Sequence, residues 1–317
     1  MSSNTTSMTQ ASKESLATVD QVTFIIRGFL DRLRYSEPVI SQEDRQYLEK
    51  TIHGEFARYE QHHGANYPEW LNHTVTPSVA MAQASTQLCY GSHDIEVQLY
   101  MARLTVWAIY FDDVMSSSLA SLQRDLIANN TDSDVIVDFR RFLLDAYRIW
   151  DPISANFMAS SWMEFLNGCA IEASDELGSM EIQKTAIFWP DYLRSKTGLA
   201  PAYTYAIFSK ELHPQLSAYI QIIGDANRFI ELANDVLSFY KEELAGETNN
   251  YVHTRAFTRG TSAIQTHQEV AEELISIYER VCVTLEGLEL DAWKTFVNGY
   301  LAFHVMQKRY RLGEILA

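Results

Sequence analysis

The sequence predicts an all-α protein, a bundle of about ten or more helices packed around a buried apolar centre. Three observations carry this. Apolar residues recur at helical spacing over nearly the whole 317-residue chain. No Asn-Gly or Asp-Gly turn stands between alternating apolar runs, so hairpins leave no signal. Thirteen glycines and seven prolines are too few for a loop-rich or all-β chain.

The elements follow in order. MSSNTTSMTQASKES, residues 1–15, is polar throughout and reads as a disordered tail. No Pro-, Gly- or Ser-rich segment divides the rest, so 16–317 reads as one helical domain. VTFIIRGFLDRL places apolar residues at 22, 25, 26, 29, 30 and 33, one face of a helix. The helix over 94–113 becomes almost wholly apolar in VWAIYF before Asp112 and Asp113, as a buried helix does. Asp132-Ser133-Asp134 reads as a helix cap after the loop ANNT. Pro190 opens a helix after Trp189, and Gly198 with Pro201 breaks it. Long helices are predicted over 217–244, 261–288 and 291–311.

Composition excludes several functions. Lys and Arg number 25 against 41 Asp and Glu, a net charge of −16. Nucleic-acid binding needs clustered basic residues, so it is excluded as a role. A phosphate-bearing small molecule is compatible only if metal ions shield it. Three cysteines without a C-x-x-C give neither a disulfide framework nor a Cys-rich zinc site. They fit a reducing, cytoplasmic compartment. The N-terminus lacks an apolar h-region and arginine, so it resembles neither a secretory signal nor a mitochondrial presequence. No stretch is apolar enough for a membrane span.

Four constellations carry chemistry. Asn234, Ser238 and Glu242 fall at i, i+4 and i+8, and a helix stacks them along one face with a drift of about 40° per step. An amide oxygen, a hydroxyl and a carboxylate are hard oxygen donors suited to Mg²⁺. The alternative is a polar stripe facing solvent. Asp112 and Asp113 close an apolar run, with Ser116 four residues after Asp112. They are either a second cation site at the rim of an apolar cavity or a helix emerging into water. Arg309 and Tyr310 offer adjacent donors to phosphate oxygens, or an ordinary surface pair. Arg194 precedes the helix break at Gly198, where freed backbone groups can serve a ligand or simply end the helix.

Taken together, these residues resemble the class I terpene cyclases, and among them the fungal trichodiene synthase type. NDVLSFYKE (234–242) resembles the family's metal-binding Asn/Ser/Glu motif, with Lys241 before the final acid. FDD (111–113) resembles the start of its aspartate-rich motif, although Ser116 stands where a third acid is usual. Arg309-Tyr310 lies 75 residues after Asn234, like the family's C-terminal Arg-Tyr pair. Arg194, 40 residues before Asn234, resembles the diphosphate sensor, with Thr197 and Gly198 at the linker and effector positions of the helix break.

The resemblance implies a class I helical bundle around a central hydrophobic cavity. It implies an isoprenyl diphosphate substrate, most simply the C15 farnesyl diphosphate. Mg²⁺, three ions per site with Mn²⁺ an acceptable substitute, would be held by Asp112, Asn234, Ser238 and Glu242, with Asp113 a secondary ligand. Arg194, Lys241, Arg309 and Tyr310 would donate to the diphosphate. Aromatic side chains are abundant and would shelter a carbocation, each ring face contributing about 0.5–2 kcal/mol. Trp107, Phe111, Phe188, Tyr203 and Phe303 are the candidates on this sequence. A homodimer is compatible with the family. Two rival readings are a chain-elongating isoprenyl diphosphate synthase, which usually has two Asp-rich motifs, and a non-catalytic helical lipid-binding scaffold.

Overall fold

Helices carry the fold in the computed structural model, which describes residues 19–38, 42–57, 76–113, 119–128 and 133–316, and no strand occurs among them. The N-terminal tail, residues 1–15, lies outside the described residues. We number the helices α1 (19–32), α2 (Gln42–Ala57), α3 (Thr76–Tyr90), α4 (Ile95–Asp113), α5 (Leu119–Ala128), α6 (Asp134–Ile149) and α7 (Pro152–Glu172). There follow α8 (Trp189–Thr197), α9 (Ala200–Ala206), α10 (Ile223–Ala245), α11 (Tyr251–Arg259), α12 (Ala263–Thr284) and α13 (Gly287–Met306).

Local chemistry sets the ends. Asp151 caps α7 by accepting from the Ile153 amide, with Pro152 in the first turn, where its missing N–H costs nothing. Gly246 ends α10 in the left-handed region at φ 71° and sends its amide back to the last turn. Asn250 and Ser262 cap α11 and α12 in the same way as Asp151.

Packing then closes a ring. α3 packs on α4, α4 on α7, α7 on α8 and α9, α9 on α10, α10 on α13, and α13 back on α3. Trp162, Phe229 and Trp293 are fully buried in these walls. The last contact is so close that a Cβ at Gly299 would stand 1.9 Å from the Leu88 carbonyl oxygen, so only glycine lets α13 cross α3 there.

Two predicted helices differ from the structure. The segment 217–222 forms 3₁₀ turns ahead of α10, because Tyr219 leaves helical geometry (φ −131°) to stack on Phe208 at 4.2 Å between ring centres, with its hydroxyl 3.2 Å from Ser154 Oγ. Tertiary packing overrides helical periodicity there. The helix predicted over 291–311 runs instead from Gly287 to Met306, and Arg309-Tyr310 sits in a 3₁₀ turn, Lys308–Tyr310. Arg311 leaves that turn at φ 59°.

Candidate active site

The polar face of α10 is the foundation of the site. Phe229, Leu232, Val236 and Phe239 bury the other faces of this helix, which fixes its rotation. Asn234, Ser238 and Glu242 therefore share the remaining stripe. Ser238 is 1 % exposed, and its hydroxyl oxygen is buried with no hydrogen-bond partner. A buried hydroxyl left unmatched costs about 1–3 kcal/mol, and the hydroxyls of Thr86 and Thr204 share this state. Asn234 is held on both sides. Its amide nitrogen lies 3.1 Å from His304 Nε2, and its Oδ1 lies 3.4 Å from Arg194 Nη2. Lys241 Nζ lies 3.3 Å from Glu242 Oε1.

A cavity of about 610 Å³ opens above this face. Asp112 reaches it from the end of α4, Arg194 and Thr197 from α8, and Asn234, Lys241 and Glu242 from α10. Arg309 stands at its edge, with one guanidinium nitrogen 3.6 Å from Met81 Sδ. Tyr310 is buried behind the wall and hydrogen-bonds Asn234. The structure thus gathers four constellations, up to about 200 residues apart in the chain, around one pocket. Asp113 ends α4, and its side chain, like all of Ser116, lies outside the described residues.

The break after α8 is built differently from the sequence expectation. Gly198 keeps an ordinary helical φ of −84°, while Leu199, fully buried, takes the left-handed φ of 48°. Space is tight at Gly198: a Cβ there would stand 3.0 Å from Glu231 Cγ and 3.2 Å from Arg194 Nη1, so those side chains would have to shift.

The predicted aromatics scatter. Phe188 is 76 % exposed and does not face the pocket, which corrects its placement as a cavity residue. It occupies the cap position of α8, and the next residue, Trp189, turns to the pocket instead. Trp107 is also corrected: it packs on Phe56, Phe111 and Phe139 and borders a separate charged cleft with Glu55 and Arg103. Phe111 is buried in the same aromatic cluster, 4.7 Å from Phe139. Tyr203 is partly buried, its hydroxyl 3.3 Å from Thr105 Oγ1, and Phe303 packs against His304 and Tyr310.

Sequence reasoning missed three partners. Asp235 accepts from Arg194 Nε at 2.8 Å, and Arg194 also donates to the Glu231 carbonyl at 2.7 Å. Burial pushes the Asp235 carboxyl up, against the pull of Arg194. Glu172, at the end of α7, lines the pocket, and burial with the nearby Asp112 charge raises its pKa while Arg194 draws it down. His304 holds Asn234, and burial together with the Arg309 and Arg194 charges pushes its pKa down to about 4, so the ring is neutral at pH 7. Only Asp235 left a trace in sequence, as an acid beside Asn234 in an otherwise apolar helix.

The trichodiene synthase (TRI5) family model matches residues 18–317. The chain belongs to the trichodiene synthase family. Relatives include terpene synthase 29 of Postia placenta, 34% identical over 76% of this chain and 72% of that protein. Longiborneol synthase CLM1 of Gibberella zeae is 31% identical over 78% of this chain and 76% of its own length. The fold matches the crystal structure of linalool/nerolidol synthase from Streptomyces clavuligerus in complex with 2-fluorogeranyl diphosphate, with a TM-score of 0.60 and 14% identity, over 87% of this chain and 98% of that one. This member of the trichodiene synthase family is therefore a terpene synthase with the class I helical fold.

Class I terpene synthases use Mg²⁺. Among the described residues no three His, Cys, Asp or Glu side chains form a ready metal cluster. The donor set that fits is the mixed one, an amide oxygen, the unmatched Ser238 hydroxyl and the Glu242 carboxylate, with Asp112 across the pocket. Hard oxygen donors carrying few charges suit a cation that keeps waters and binds substrate phosphates. No described helix is long and apolar enough to cross a membrane.

Proposed function

We propose that this terpene synthase is a sesquiterpene cyclase that ionises farnesyl diphosphate. The observation that carries the reading is the oxygen-donor stripe of α10: Asn234 and Glu242 line a pocket that Asp112, Arg194, Lys241 and Arg309 also reach, with Ser238 buried in the same stripe. A cavity of about 610 Å³ is of the size that takes small organic ligands.

Asn234, Ser238 and Glu242 would hold Mg²⁺ on one wall and Asp112 on the other, with Asp113 in support. Bound Mg²⁺ neutralises charge on the leaving diphosphate. We assign three ions per site, with Mn²⁺ a substitute. Lys241, Arg194 and Arg309, which line the pocket, donate hydrogen bonds to the diphosphate oxygens, where negative charge grows as the C–O bond breaks, and Tyr310 joins them on the family resemblance. Thr197 and Gly198, at the break beneath Arg194, place backbone groups beside the same bond. The electron pair leaves with diphosphate, and the allyl cation remains on the hydrocarbon. Its own double bonds close rings, and loss of a proton gives a hydrocarbon, or water addition with proton loss an alcohol. The cation must be kept from bulk water until it is quenched. Phe303, packed on Tyr310, and Phe111, next to Asp112 in the chain, are the predicted aromatics connected to this machinery.

Residues 16–317 act as one catalytic domain, in the cytoplasm, and pair as a homodimer in this reading. Incubation with farnesyl diphosphate, followed by gas chromatography with mass detection, tests it. A C15 product formed with Mg²⁺ and absent with EDTA is the expected result. A longer prenyl diphosphate formed when isopentenyl diphosphate is also supplied would instead mark a chain-elongating synthase. No product and no diphosphate binding by folded protein would favour the non-catalytic scaffold.

A further inference from the structure

His304 stands one layer behind the pocket, on α13, and is 1 % exposed. Its ring is fixed by three neighbours. Tyr300 and Tyr310 pack on it with ring centres 4.7 and 4.4 Å away, and Phe303 meets it edge-on at 5.3 Å. Its two nitrogens face different chemistry. Nδ1 lies 2.8 Å from the Tyr300 carbonyl oxygen, one helical turn back. A carbonyl oxygen only accepts, so Nδ1 carries the proton. In the neutral ring Nε2 is then a bare lone pair. That lone pair faces the Asn234 side-chain amide at 3.1 Å and accepts only from its NH₂ group.

The other contacts of Asn234 agree. The Tyr310 hydroxyl is a further neighbour of the amide. On the opposite side Arg194 Nη2, a donor, approaches the oxygen at 3.4 Å. An asparagine amide has two ends of similar shape, and only one of them can ligate a cation. With its nitrogen on His304 and its oxygen on the side of Arg194, which lines the pocket, the oxygen is turned to the pocket.

We propose that His304 is a positioning residue: through its Nδ1–H tautomer, set by the Tyr300 carbonyl, it locks the Asn234 amide with its oxygen toward the metal. The proposal rests on the reading of Asn234 as a metal ligand. Groups that orient a ligand are worth about 10–100-fold in metal affinity when removed.

Two measurements test it. Long-range ¹H–¹⁵N correlation of the labelled protein reports the histidine tautomer, with His304 assigned by its absence in the His304→Gln and His304→Phe variants. The Nδ1–H form is expected, and an Nε2–H ring overturns the proposal. Mn²⁺ binding in the presence of inorganic diphosphate, followed by the electron paramagnetic resonance signal of free Mn²⁺, gives the second. His304→Phe keeps the ring packing but has no acceptor, and should weaken Mn²⁺ by about 10–100-fold. His304→Gln, whose side-chain oxygen can accept from Asn234, should restore most of the affinity. Asn234→Ala should weaken binding at least as much as His304→Phe. If Asn234→Ala weakens Mn²⁺ and His304→Phe does not, the positioning role is wrong and the metal site stands. If Asn234→Ala leaves Mn²⁺ binding unchanged, the metal assignment fails and the positioning role fails with it.

Discussion

Arg194 gives three of its hydrogen bonds to α10: one to the Asp235 carboxylate, one to the Glu231 carbonyl and a longer one to Asn234. The pair with Asp235 is largely buried, with side-chain exposures of 15% and 11%. Removing one member of such a pair strands the other, at about 3–5 kcal/mol. Asp235→Ala should therefore lower the urea midpoint by that equivalent. The Arg194→Ala/Asp235→Ala double variant should recover much of the loss. Additive losses in that cycle would mean the two groups do not support one another. Asp112→Ala is different, because Asp112 is exposed on the pocket. It should leave the circular dichroism unchanged and cut turnover on the order of 100-fold or more. Wild-type turnover in a folded variant would remove Asp112 from the mechanism. The Asn234, Ser238 and Glu242 stripe was legible in sequence because helix geometry alone puts i, i+4 and i+8 on one face. The Arg194–Asp235 pair was not, since nothing local connects residues 41 positions apart. Phe188 was misread because aromatic content says nothing about which way a ring at a helix cap points.

Whole elements meet at a second charged junction, beside the pocket. Arg228 on α10 binds Glu273 on α12 at 2.9 Å, Asp191 on α8 at 2.7 Å and the Tyr251 hydroxyl on α11 at 3.0 Å. Arg255 joins the same Glu273 and Tyr251. Four helices are tied, including the one that carries Arg194. The guanidiniums and the Tyr251 hydroxyl hold the Asp191 carboxyl below its ordinary value, against its burial, and Arg228 with Arg255 does the same for Glu273. A carboxyl whose folded pKa is depressed adds stability that is complete above the unfolded value, about 4, and is lost as pH falls through the folded one. The destabilisation caused by Arg228→Met should thus be full at pH 7 and shrink below about pH 4. Equal urea penalties at pH 7 and pH 3 would show that these carboxylates are not its source. Gly198→Ala belongs to this scale too. Its Cβ would press on Glu231 and Arg194 across the α8–α10 contact, so catalysis should fall more than melting temperature. A loss confined to stability would make the glycine purely a packing residue. The helix break itself was readable from Gly198 and Pro201. The left-handed turn at Leu199 was not, because sequence assigns that conformation to glycine by default.

For the molecule as a whole, the ring of helices was predictable from periodicity, whereas the order in which they close was not, because contacts such as α13 on α3 depend on a glycine 211 residues from the Leu88 carbonyl it meets. The net charge of −16 then shapes what ligands do to stability. Divalent cations in general relieve self-repulsion in so acidic a chain, so Mg²⁺ alone should raise the melting temperature slightly through screening. A site built from Asn234, Ser238 and Glu242 on one wall and Asp112 on the other makes a further demand. On the proposed reading, cations held by these residues would bind together with an anion. Mg²⁺ with inorganic diphosphate should therefore stabilise more than the sum of the two added separately. At a ligand concentration 100 times the dissociation constant, the gain is about 2.7 kcal/mol, or roughly 5 °C in melting temperature for a domain of this size. EDTA should abolish the increment. So should Ser238→Ala with Asn234→Ala, although neither change touches the overall charge. Screening predicts the opposite pattern, an increment that follows ionic strength and survives both substitutions, and thermal denaturation monitored at 222 nm separates the two.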